Sequence, residues 1–220
     1  RIVRLTGSRI LCDTIIVHPG WNMIGSISSP VPASGIGIIG SDIQSKFFGY
    51  SGGYQAADTI QPGKAYWVKV SDEGTIILSA PGSTVAGQAP VSPDELAGSS
   101  RLEISDASGK GQTLYFGNAA SRTGAGSQQS SGFDLPPVPP DGSFDVRFAT
   151  NRMAEFADER DIPILISGAA YPLTVHWSIS QEGRQPLPAI LLADGKEIVL
   201  SMNGAASIQH PATDIKLRLS

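Results

Sequence analysis

With 25 glycines and 16 prolines among 220 residues, nearly a fifth of the chain against about 12% in an average protein, the sequence is rich in turns and cannot be built mainly from long helices. Charged residues make up 16% and hydrophobic residues 40%, enough apolar surface to exclude wholesale disorder and to bury a core without disulfides. The net charge of −4 comes with no basic stripe, which excludes a nucleic-acid partner; no run approaches the ~20 apolar residues of a membrane span; and a single cysteine, Cys12, excludes an intrachain disulfide or a cysteine-built metal site.

Taken in chain order, the predicted elements are almost all strands. Arg1 to Leu5 lacks the apolar run of a signal peptide and reads as a strand start, so the chain is expected to be a segment of something longer. Ile10 to Val17 is β-branched and apolar, a strand in which Cys12 should be a buried, inert thiol. Residues 65–70 and 75–78 flank Ser71-Asp72-Glu73-Gly74 as the arms of a hairpin. Residues 81–100 hold three prolines and three glycines with little apolar periodicity. They read as a linker between a domain at 1–80 and one at 101–220, with a single helical turn at 93–97.

Beyond the linker the grammar repeats. Residues 102–104 and 112–116 flank a Ser108-Gly109 turn, and residues 190–193 and 196–200 flank Asp194-Gly195, a pair that tolerates the positive φ angles of a type I′ turn. Asn203-Gly204 is read as another turn of this kind. Residues 135–140 carry four prolines and cannot fill a ladder, which makes them an extended crossover or edge. Residues 144–148 alternate as a strand, and 152–160 read either as two helical turns or as the same strand continued past a bulge. Residues 214–220 alternate as a strand with one wet face. The predicted fold is all-β: a small β domain followed by an immunoglobulin-like or jelly-roll β-sandwich.

Several motifs suggest chemistry, and their contexts argue against it. Gly35-Ile36-Gly37-Ile38-Ile39-Gly40 matches the dinucleotide pattern, but the prolines before it preclude a central strand and no helical face follows to hold a pyrophosphate. Gly49-Tyr50-Ser51-Gly52-Gly53 matches a nucleophile elbow, with His176 and His210 downstream in the hydrolase order; the residues after Ser51 look like a hairpin's return arm, not the helix an elbow needs. His18, His176 and His210 form no metal-binding pair. No catalytic, metal-binding or cofactor-binding residue is therefore assigned. Among the aromatics of the first half, Trp21, Phe47, Tyr66 and Trp67 are expected to build its core. Tyr50 and Tyr54 bracket a glycine-rich tip, and exposed there they would offer flat faces for a sugar or peptide.

His18-Pro19-Gly20-Trp21-Asn22-Met23-Ile24-Gly25, followed by Ile60-Gln61-Pro62-Gly63-Lys64-Ala65-Tyr66-Trp67-Val68-Lys69, resembles a module of large bacterial secreted and surface proteins with the pattern GWN-(L/M)-I and PGK-x-YWV. The resemblance covers about residues 10–80 and implies structural glycines and tryptophans, with Trp21 and Trp67 meeting in one small core. In the second half, Leu114-Tyr115-Phe116-Gly117, residues 133–140, residues 144–148 and residues 170–177 resemble the β-rich segment that precedes a type IX secretion sorting domain. Together these resemblances imply an extracellular or cell-surface location and a non-enzymatic role, spacing or anchoring neighbouring domains of an exported bacterial polypeptide. Two other readings stand beside it: a glycan- or peptide-binding adhesion module using Tyr50 and Tyr54, and a serine esterase using Ser51.

Overall fold

The computed structural model describes residues 7–81, 96, 98–118, 131–158, 160–180 and 188–219. These are nearly all β, with short 3-10 turns at Ala33–Gly35 and Ser131–Phe133, a 3-10 residue at Leu96 and no α-helix among them. Among the described residues no helix is long and apolar enough to cross a membrane. The chain divides into two compact units, one of Arg1–Gly49 with Ala56–Ser92 and one of Tyr50–Gln55 with Pro93–Ser220. The expected strand at 1–5 and residues 82–95, most of the expected linker, lie outside the described residues. Residues 96–100 of that linker include a buried Leu96 and the start of a strand at Ser100.

In the first unit, β1 (Cys12–Val17), β9 (Gly74–Ser79) and β4 (Gly37–Ile39) form a three-stranded sheet in the order β1-β9-β4. A second sheet runs β2 (Gly20–Ile24), β8 (Tyr66–Val70), β5 (Phe47–Tyr50), β6 (Tyr54–Ala57), and β3 (Val31–Pro32) pairs with β7 (Thr59–Ile60). The period of two sends Tyr66, Val68 and Val70 of β8 into a core shared with Val17, Ile24, Phe47, Ile76 and Leu78.

That same alternation corrects two sequence expectations. Trp67 lies between inward residues of β8, and Trp21 stands three positions before inward Ile24, so both tryptophans fall on the opposite face. Half-buried there, they flank Phe48, which meets Trp21 edge to face at 6.1 Å and stands opposite Trp67 in the ladder. Phe47 and Tyr66 do belong to the core. Cys12 is exposed, not buried. It lies on an edge strand and shares the outward parity of Thr14 and the exposed Ile16, while Ile15 and Val17 pack inward.

The second unit is a β-sandwich of two five-stranded sheets. One runs β13 (Ala154–Phe156), β11 (Gly111–Gly117), β10 (Ser100–Ser105), β15 (Leu173–Ser178), β18 (Asn203–Ile208). The other runs β12 (Asp145–Phe148), β14 (Arg160–Ser167), β19 (Ile215–Leu219), β16 (Ala189–Ala193), β17 (Lys196–Leu200). All the pairings are antiparallel except β11 with β13. Leu102, Ile104, Leu114, Phe116 and Val175 from the first sheet meet Val146, Phe148, Ile164, Leu191 and Leu217 from the second in one core.

The Asp194-Gly195 turn has positive φ at both residues, 46° and 79°, as a type I′ turn requires. Asn203-Gly204 is not a turn. The chain reverses one step earlier, where Met202 has φ 48°, and both residues begin β18. Of the stretch 152–160, the described residues 152–158 form neither helical turns nor a bulged continuation: Asn151 takes φ 62°, and the chain leaves β12 for β13 in the other sheet.

Candidate functional site

The outer face of the sheet β10-β15-β18 carries an open groove of about 510 Å³, within the ~300–1,000 Å³ range of small-molecule clefts. Its construction follows from strand alternation. On β10, Leu102 and Ile104 point into the core, so Arg101 and Glu103 point out. The ladder sets Arg101 opposite Ser178 and Ser178 opposite Asn203; one step along, Glu103 faces His176 and His176 faces Ala205. Two polar rows thus cross three strands. The small Ala205 on the edge strand leaves a depression beside His176.

Arg101 and Glu103, two residues apart on one strand face, form an ion pair with Nε to Oε1 at 3.0 Å, each about half exposed. His176, Ser178 and Asn203 make no side-chain hydrogen bond among the described residues, which leaves their donors and acceptors turned to solvent. Trp177 borders the groove between His176 and Ser178 but, opposite core residue Leu102 in the ladder, turns its side chain to the inner face and packs against the core. Its ring lies so close over Gly204 that a Cβ there would collide with the indole carbon Cζ2, and its Nε1–H donates to the Ser201 carbonyl at 3.5 Å. Sequence reading placed His176 only as a remote hydrolase partner. The cross-strand register that joins it to Arg101 and Asn203 spans about a hundred residues of chain and leaves no local signal.

The glycine-rich tip of the β5–β6 hairpin, residues 50–55, is part of the second unit. Tyr50 is 44% exposed and donates its hydroxyl to the Phe144 carbonyl at 2.9 Å. Tyr54, which was expected to be exposed beside it, is buried at 6% and donates to the Pro137 carbonyl at 2.8 Å. The two rings pack edge to face at 5.4 Å. Ser51 sits in the exposed bend, its N–H donating to the Gly53 carbonyl at 3.1 Å, and the chain continues into β6, not into a helix.

Among the described residues the buried charges are all engaged. Arg147 donates from Nε and Nη2 to the two Asp145 oxygens at 2.6 and 2.9 Å and from Nη1 to the Pro136 carbonyl at 3.0 Å. Asp106 caps the β10–β11 turn, accepting from the Ser108 and Lys110 backbones, the Ser108 hydroxyl and the Ala170 backbone. Burial alone would raise its pKa, but these donors outweigh burial and hold the carboxyl below its ordinary range. Glu155 accepts from the Thr150 hydroxyl and lies 3.8 Å from Arg152. Gln112 accepts at Oε1 from the Tyr54 and Val146 backbones, while its buried Nε2 has no partner among the described residues.

No protein-family model, curated protein or solved structure matches this chain. The site must therefore be read from its own geometry. Among the described residues no three His, Cys, Asp or Glu side chains gather where they could hold a metal ion. His18 stands 4.0 Å from Glu73 on an exposed surface, and the Gly35–Gly40 run places Gly37–Ile39 in a strand paired with β9. On the outer face of the second sheet Arg218 donates to Asp161 at 2.7 Å. That hydrogen bond holds the Asp161 carboxyl below its usual range, and as an exposed pair it adds little to stability.

Proposed function

We propose that this chain is a non-catalytic pair of β modules that spaces or anchors neighbouring domains of a larger, exported bacterial surface polypeptide. The observation that supports this reading is the state of the buried carboxylates. Active sites concentrate buried titratable groups whose partners leave them available to a substrate. Here Asp145 is consumed by Arg147, Asp106 by a turn, and Glu155 by Thr150 and Arg152. Each joins segments that the fold must hold: the proline-rich stretch at 136–137, the β10–β11 hairpin, the start of β13. The GWN and PGK-x-YWV resemblance points the same way, since its glycines turn the chain and its tryptophans cover a sheet.

The test is replacement of this chain, within the polypeptide that carries it, by an unrelated β-sandwich of similar size. Neighbouring domains are expected to keep their activity and their surface display. A loss of catalysis that the isolated chain restores in trans would overturn the reading, and so would fluorophosphonate labelling of the chain that disappears in Ser51→Ala.

A further inference from the structure

We propose that the groove on the outer face of β10, β15 and β18 binds a neutral saccharide. This assignment stands apart from the spacing role above, and it uses different residues from Tyr50 and Tyr54. A sugar presents a dense set of hydroxyls, each able to donate and to accept, on a ring with apolar C–H faces. The groove offers the matching set. Arg101 brings guanidinium donors, Glu103 beside it brings carboxylate acceptors, and His176, Ser178 and Asn203 bring mixed groups.

These groups are spaced by the sheet itself. Strands about 4.8 Å apart put Arg101 and Asn203 roughly 10 Å apart across β15, and the two rows are about 7 Å apart along the strands. The side chains stand on rigid ladders, so little ordering is needed on binding. Charge decides the ligand class. Arg101 and Glu103 pair at 3.0 Å and cancel, so an anionic ligand would meet Glu103 and a cationic one Arg101, while a neutral polyol meets hydrogen-bonding capacity on both sides.

The test is titration of the whole 220-residue chain with soluble oligosaccharides of β-glucan, xylan, mannan, chitin and α-glucan type, and with an oligouronate, followed by calorimetry and by amide shifts. Saturable binding of at least one neutral oligosaccharide is expected, with shifts at Arg101, His176 and Asn203. Arg101→Ala and His176→Ala should each weaken it at least about tenfold with unchanged melting temperature, while Tyr50→Phe should bind as the parent does. Absence of saturation by every neutral oligosaccharide overturns the assignment. So does preference for the oligouronate, or binding that both groove variants leave intact.

Discussion

Asp145 and Arg147 stand two residues apart on β12 and close a bidentate ion pair on the face of the strand opposite the sandwich core, their side chains 4% and 2% exposed. The alternation that sends Val146 and Phe148 inward forces both charges onto one side. The third guanidinium nitrogen holds Pro136, and the Tyr54 ring lies 6.0 Å from the guanidinium carbon. Removing one partner strands the other charge away from water. Arg147→Met is therefore expected to destabilise the second unit by about 3–5 kcal/mol, whereas replacing both partners by apolar residues of like volume should cost far less. Urea denaturation of the single and double variants checks this, and a single variant within about 1 kcal/mol of the parent would contradict it.

Asp106 gives the chain an acid-sensitive turn. Its folded pKa lies below the unfolded value because the donors from Ala170, Ser108 and Lys110 outweigh desolvation. The sign follows directly: the carboxylate's stabilisation is complete above the unfolded value near pH 4 and is lost as pH falls through the lower folded one. Asp106→Asn should lower stability at neutral pH by about 1–3 kcal/mol and flatten the loss of stability on acidification. Melting curves at stepped pH would show it; a variant with the parent's full acid dependence would sink the claim.

Gly204 illustrates a residue whose reason lies across the sheet and not in its own sequence neighbourhood. Next to Asn203 it reads as a turn, yet it sits in a strand, and what demands glycine is the Trp177 indole lying over its backbone. Gly204→Ala is expected to push the indole aside at a cost of about 1–3 kcal/mol, with a displaced Trp177 indole N–H resonance. An unshifted resonance and unchanged melting would show that the ring does not rest there.

The parts legible in the sequence are those governed by local rules. The arms around Ser108-Gly109 and Asp194-Gly195 appear as the paired strands β10 with β11 and β16 with β17, because turn chemistry and a period of two are properties of a few adjacent residues; the arms expected around Ser71–Gly74 form strands β8 and β9, but these enter different sheets and make no hairpin. The face on which Trp21 and Trp67 lie was misread because aromatic size suggested a core, while the parity of Tyr66, Val68 and Val70, equally visible, excluded it. The groove was invisible for a different reason. Arg101, His176 and Asn203 become neighbours only through the order β10-β15-β18, and strand order is set by packing of the whole sandwich.

Cys12 offers a direct check on the edge of the first unit. Its thiol is exposed, with Sγ 3.5 Å from the Ser79 hydroxyl on the paired strand. A buried cysteine reacts only when the protein opens, whereas one at the uncovered end of an edge strand meets reagent in the native state. One equivalent of a maleimide or a disulfide reagent should therefore label the folded chain, at a rate that denaturant raises only modestly, and Cys12→Ser should abolish labelling without lowering the melting temperature. Labelling that requires unfolding would place the thiol inside the sheet's core and overturn the described end of β1.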